Sequence, residues 1–130
     1  MLSRETIANV DYKVLPRYAE ENTDGALDAQ YVQVIDSFAD DTLDFCLVDG
    51  VYRELCALRV IEKIRPGGVL VIDNVNRYLP SHSYSPASRS PATGPQGPVW
   101  KEVENLLSSW RRIWTSCGVW DTALYFKPCS

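Results

Sequence analysis

The sequence predicts an α/β fold in which a mainly parallel sheet ends in an antiparallel hairpin and carries helices on its faces. Three observations lead there. Two short apolar runs, Phe45-Cys46-Leu47-Val48 and Val69-Leu70-Val71-Ile72, enclose a segment with helical spacing. Each run stops abruptly at a polar pair, Asp49-Gly50 and Asp73-Asn74. The tail then offers two strand-like runs separated by Gly118 and Asp121, the pattern of a hairpin.

Taken in order, Val10, Tyr12 and Val14 alternate with Asp11 and Lys13, which predicts a short strand over residues 9–15. Pro16 ends it, and a polar loop runs through Asp24-Gly25. Asp28 is a suitable N-cap for a helix with Tyr31, Val34, Ile35 and Phe38 on one face, closed by Asp40-Asp41. The Phe45 run is expected to be buried on both sides, as central parallel strands are. From Arg53 to Arg65, Ala57, Val60, Ile61 and Ile64 keep helical spacing, and Pro66-Gly67-Gly68 is expected to end that helix in a turn. Strand, helix and strand with short connections make a βαβ unit.

Between Pro80 and Pro98 lie five prolines, five serines and two glycines, so a long loop is expected over about 76–98. A helix resumes at Pro98 with Trp100, Val103, Leu106, Leu107 and Trp110 on one face. The runs 112–117 and 123–127 form the hairpin. Trp100 and Trp110 suit a core, whereas Trp114 and Trp120 suit either packing or contact with a partner.

The chain has 130 residues, 45% hydrophobic and 23% charged, with a net charge of −4 and a pI near 4.9. That is material for one domain, residues 1–130, with an ordinary globular composition. The acidic balance argues against nucleic acid or an anionic membrane as partner. No apolar stretch approaches the ~18 residues of a membrane span, and no secretory leader is visible, so a cytoplasmic location is expected. Cys46, Cys56, Cys117 and Cys129 lack CxxC spacing, which removes zinc and thioredoxin-like chemistry and leaves reduced, structural thiols.

In an open parallel sheet, ligands bind beyond the carboxyl ends of the strands. Asp49-Gly50 and Asp73-Asn74 both occupy that edge, and the Pro/Ser-rich loop departs from it. Two readings stand for each pair: a ligand site, or a plain strand stop that bonds the following segment. His82, the single histidine, lies in the loop with Arg77, Tyr78 and Tyr84, a group placed to touch a substrate.

The segments LeuAspPheCysLeuValAspGly (43–50), ArgProGlyGlyValLeuValIleAspAsnVal (65–75) and the terminal CysGlyValTrpAspThrAlaLeuTyrPheLysPro resemble the C-terminal half of class I S-adenosylmethionine-dependent methyltransferases. The resemblance implies a Rossmann-like fold and methyl transfer to an oxygen or nitrogen of a small-molecule or carbohydrate-like acceptor. It also implies that the family's first strands and glycine-rich cofactor loop are missing here, so the chain reads as part of a longer one. The alternative is a non-catalytic, methyltransferase-like remnant or interaction module that binds no cofactor. With those strands missing, the Phe45 strand is expected to form a hydrophobic edge prone to self-association.

By the same resemblance, Asp49 and Gly50 face the cofactor, and Asp49, Tyr52 and Arg53 are the catalytic candidates. Metal-dependent O-methyltransferases of the class carry an Asp at the first strand end and an Asp-Asn pair at the next. Asp49, Asp73 and Asn74 match in type and place, and such oxygen donors suit Mg²⁺. Those enzymes place a lysine three residues after the first Asp, whereas Tyr52 stands here with Arg53 beside it. Arginine is a poor base, which leaves proton removal to Tyr52 or to a metal-bound acceptor.

Overall fold

Hydrophobic runs of β-branched and aromatic residues pair into one sheet in the computed structural model, which describes residues 8–15 and 30–129. The chain runs through helix α1 (Gln30–Gln33), a 3-10 turn (Val34–Ser37), strand β1 (Leu43–Val48), helix α2 (Arg53–Val60) and strand β2 (Ile64–Asp73). A 3-10 turn (Val75–Arg77), helix α3 (Gly97–Leu107) and strands β3 (Arg111–Ser116) and β4 (Asp121–Phe126) complete it. The sheet is four-stranded in the order β1-β2-β4-β3.

The fold is α/β as expected, but the sheet is mixed and not mainly parallel. β1 and β2 are parallel, whereas β4 pairs antiparallel with both β2 and β3. The reason is topological: a parallel pair needs a crossover, and among the described elements only α2 supplies one between neighbouring strands. The hairpin lays β4 directly on β2, so every later ladder is antiparallel.

Pleating sorts the sheet into two unlike faces. Cys46, Leu70 and Tyr125 share one row of the inner face, and Val48, Ile72 and Ala123 the next. They pack with Leu55, Cys56, Ala57 and Val60 of α2 and with Trp100, Val103 and Leu107 of α3 into the core. The opposite face carries Phe45, Val69 and Phe126 in one row and Leu47, Val71, Leu124 and Ile113 in the next. Phe45 and Leu47 are 58% and 52% exposed, so the Phe45 strand is not buried on both sides. It is an edge strand with one apolar face toward solvent, because α2 and α3 both serve the other face.

Other boundaries shift for identifiable reasons. Residues 9–15 form no strand, and Val10, Tyr12 and Val14 are exposed. Alternation alone does not provide the ladder partner a strand requires. The proposed loop through Pro16 and Asp24-Gly25 and the Asp28 cap lie outside the described residues. In α1 the buried residue is Val32, and Phe38 is largely exposed. α2 stops at Val60, and Ile64 opens β2. Pro66-Gly67-Gly68 is therefore a bulge within β2: the register steps from Leu43↔Ile64 to Phe45↔Val69. Gly67 has φ +79, and a Cβ on Gly68 would lie 2.7 Å from Ile64 Cγ2 and 3.0 Å from the Leu43 carbonyl oxygen. Only glycines permit this close strand crossing. In α3, Leu106 turns outward, while Trp100, Val103 and Leu107 are buried.

The Pro/Ser-rich segment contains no long regular element before α3, yet it is tied down. Arg89 N–H donates to the Asn76 carbonyl at 2.9 Å, Ser81 N–H to the Arg89 carbonyl at 2.9 Å, and Gln96 N–H to the Tyr78 carbonyl at 2.9 Å. The Arg89 guanidinium donates to the Gly94 and Thr93 carbonyls, which closes the loop tip on itself.

Candidate functional site

β1 and β2 run side by side, so their polar endings fall next to each other. Val48 is level with Ile72, which places Asp49-Gly50 beside Asp73-Asn74. Two residues then turn sharply: Tyr52 (φ 51) before α2 and Asn74 (φ 52) before the 3-10 turn are both left-handed. Gly50 is needed for a different reason. A Cβ there would lie 1.9 Å from Tyr31 Oη, so glycine lets the tyrosine reach the end of β1.

Arg53, the first residue of α2, joins the two strand ends. Its Nε donates to the Gly50 carbonyl at 2.9 Å, and Nη1 donates to the Asp73 carbonyl at 2.6 Å and to Asn74 Oδ1 at 3.0 Å. Nη2 lies 3.3 Å from Asp49 Oδ1. The arginine side chain is only 16% exposed, whereas that of Asp49 is 50% exposed. The Asp73 carboxylate meets Asp49 on one side, and its Oδ1 accepts the Thr122 hydroxyl at 2.8 Å. Burial pushes the Asp73 carboxyl pKa up, but the Thr122 hydroxyl, the Asn74 backbone N–H, Asp49 and the Arg53 charge outweigh it and hold it low.

Five of the six candidate residues thus converge: Asp49, Gly50, Arg53, Asp73 and Asn74. Tyr52 contributes through its backbone, its carbonyl accepting the N–H groups of Leu55 and Cys56, and its side chain packs against the core. Of the loop candidates, Tyr78 stacks on Trp100 at 4.9 Å and Arg77 lies over the Trp120 ring at 4.4 Å. His82 and Tyr84 line a different cleft with Arg112 and Trp114.

Beside β1 lies a cavity of about 690 Å³, lined by Tyr31, Val34, Ile35 and Phe38, by Cys46 to Gly50, by Cys56 and by residues 11–15. Burial raises the Cys46 thiol, and burial with the neighbouring Cys46 and Glu54 pushes Cys56 up to about 11. Both are neutral thiols at physiological pH and act as apolar lining.

The oxygen donors expected to hold Mg²⁺ do not fit that ion as arranged. Asn74 Oδ1 is engaged by Arg53 and Asp73 Oδ1 by Thr122, and the guanidinium lies among the remaining oxygens. Among the described residues, no group of three or more His, Cys, Asp or Glu is placed to share a cation.

Two residues that fasten the loop to the hairpin were not apparent from the sequence pattern. Asn76 is fully buried; its Nδ2 donates to the Pro86 carbonyl and Ser88 Oγ, and its Oδ1 accepts the Asp121 N–H at 3.2 Å. Asp121, also fully buried, accepts Ser85 Oγ–H at 2.6 Å and Trp114 Nε1–H at 2.8 Å. Together they lock the loop to the hairpin. A polar residue at a strand start reads as a turn signal, so nothing local marks Asp121 as a hub.

No protein-family model and no curated protein matches this chain. Among solved structures, it is similar to a possible exported protein from Bordetella parapertussis, at 17% identity and a TM-score of 0.41. The likeness covers 72% of this chain and 42% of that one, so the chain spans less than half the length of that protein. Among the described residues, no helix is long and apolar enough to cross a membrane.

Proposed function

We propose that this chain is the strand-end portion of a Rossmann-like, S-adenosylmethionine-dependent methyltransferase, working within a longer polypeptide on an oxygen or nitrogen of a small or carbohydrate-like acceptor. The observation that carries the reading is the half-exposed Asp49 carboxylate, which directly follows a parallel strand and lines an apolar cavity of about 690 Å³. A cavity of that size suits a ligand with an apolar body, and the Asp49 carboxylate suits a positively charged group on it. Bound S-adenosylmethionine supplies the methyl group. Asp49 holds the charged part of the ligand, and Arg53 fixes Asp49 and takes no proton, since a guanidinium does not act as a base. Rate enhancement in such a site comes mainly from alignment. A cytoplasmic location belongs to the same proposal, since it keeps Cys46 and Cys56 as thiols.

The test is saturation-transfer NMR with S-adenosylmethionine at millimolar concentration. Transfer from the parent protein that disappears in Asp49→Asn is the expected result. Calorimetry is expected to give a dissociation constant weaker than ~10 μM, because the sequence has no glycine-rich loop to bring backbone N–H groups to the ligand. Absence of transfer from the parent overturns the reading.

One observation favours the second reading, an interaction module that binds no cofactor. The outer sheet face presents Phe45, Leu47, Leu124, Phe126 and Ile113 side by side, next to the open edge of β1. Phe45, Leu47 and Ile113 are 58%, 52% and 41% exposed, and clustered apolar exposure of this kind marks interaction sites. Under this reading the occupant is a second copy. Sedimentation at tens of micromolar is expected to show reversible self-association, and Phe45→Lys with Leu47→Lys to give a monomer. A clean parental monomer at that concentration removes the support.

A further inference from the structure

We infer that Arg53 is a built-in cation that closes the strand-end site to divalent metals, so that whatever this site binds is bound without Mg²⁺ or a similar ion. The inference rests on placement of side chains and is independent of methyl transfer. The left-handed turn at Tyr52 (φ 51) sends the chain into α2 so that its first side chain returns across the ends of β1 and β2. The planar guanidinium then meets four oxygens: the Gly50 and Asp73 carbonyls, Asn74 Oδ1 and Asp49 Oδ1, at 2.9, 2.6, 3.0 and 3.3 Å. Carbonyl, amide and carboxylate oxygens are the ligands that Mg²⁺ or Ca²⁺ takes, at about 2.0–2.6 Å. They are already occupied here by N–H donors.

Two physical barriers keep an ion out. A divalent cation held by these side chains would have to displace Arg53 from Asn74 Oδ1 and Asp49 Oδ1. It would also sit within a few ångströms of a positive charge, a repulsion felt strongly because Arg53 is only 16% exposed. The same fork binds both strand ends in one plane, which a single-point ammonium would not do. The site therefore sets the Asp49 and Asp73 carboxyl groups around one positive charge on Arg53. The exposed side of Asp49 and the neighbouring Asp73 carboxyl suit an ammonium, sulfonium or hydroxyl donor. They do not suit a diol held by chelation.

The test uses the whole chain with Mn²⁺ followed by electron paramagnetic resonance and Mg²⁺ followed by thermal melting. The parent is expected to leave Mn²⁺ free up to millimolar concentration and to melt at the same temperature with Mg²⁺ or with a chelator. Arg53→Met is expected to melt several degrees lower and to recover part of that loss in millimolar Mg²⁺, with no recovery in Arg53→Met/Asp49→Asn. Saturable Mn²⁺ binding by the parent that Asp49→Asn abolishes overturns the inference. A folded Arg53→Met protein that responds to Mg²⁺ no more than the parent overturns it as well. If Arg53→Met does not fold, Arg53→Gln takes its place, and the parental Mn²⁺ titration decides the matter without any variant.

Discussion

Trp100→Ala is expected to destabilise the chain by about 3–5 kcal/mol, the range for truncating a fully buried tryptophan. Trp100 is 1% exposed and is the largest fully buried side chain among the described residues. It projects from α3 and stacks on Tyr78 with ring centroids 4.9 Å apart and an interplanar angle of 14°. Tyr78 follows directly on the 3-10 turn after β2, so this stack is where α3 is fastened to the strand-end region. A domain of this size has about 5–15 kcal/mol of total stability, so the loss is a large fraction of it. Trp100→Phe keeps a ring on Tyr78 and is expected to lose less than half as much. Urea unfolding followed by circular dichroism checks both, and a loss below about 1 kcal/mol for Trp100→Ala would contradict the packing of α3.

Acidification is expected to act through Asp121. Burial pushes its carboxyl up, but hydrogen bonds from the Ser116, Ser83 and Ser85 hydroxyls and the Trp114 indole more than reverse this, leaving it at about 2 against an ordinary value of 3.8. A pKa lowered by folding adds stability that is complete above the unfolded value and is lost as pH falls through the folded one. The window therefore runs from about pH 4 down to about pH 2, and the contribution is about 2 kcal/mol. Asp73, also held low, adds to the same trend. Asp121→Asn cannot titrate and points N–H groups toward the Trp114 N–H or the serine hydroxyls. It is expected to be about 2–3 kcal/mol less stable than the parent at neutral pH. Melting curves from pH 7 to 2 in the two proteins check this: the parent should lose much more between pH 4 and 2 than Asp121→Asn does. Parallel curves would rule out Asp121 as the responsible group.

Much of the candidate site was legible because strand ends are marked locally. Apolar runs stopping at Asp49-Gly50 and Asp73-Asn74 located both polar pairs, and the short connection through α2 made β1 and β2 neighbours. Arg53 was legible only as a residue near the site. Its contacts with Asp73 and Asn74 span 20 and 21 positions, and its direction depends on the left-handed Tyr52, which no periodicity signals. Asn76 and Asp121 were hidden for the same reason, since their hydrogen bond joins residues 45 positions apart. Gly67 and Gly68 carried a true signal that admits two structures. A proline-glycine-glycine sequence allows either a helix stop or a bulge, and the antiparallel bonds between Gly67, Gly68 and Lys127 select the bulge.

Local side-chain pattern accounts for the alternation of strands and helices from β1 onward, for Ala57 and Val60 inside α2, for Trp100, Val103 and Leu107 inside α3, and for the polar strand ends. These follow from side-chain period and turn chemistry, which act over a few residues. Tertiary pairing decided that β4 lies beside β2, that Phe45 and Leu47 are exposed, and that a guanidinium sits among the oxygens of the strand ends. Strand order and direction are settled by which distant ladders bury the most apolar surface while satisfying their backbone groups. That is a competition among long-range pairings, to which a local pattern contributes equally in every arrangement.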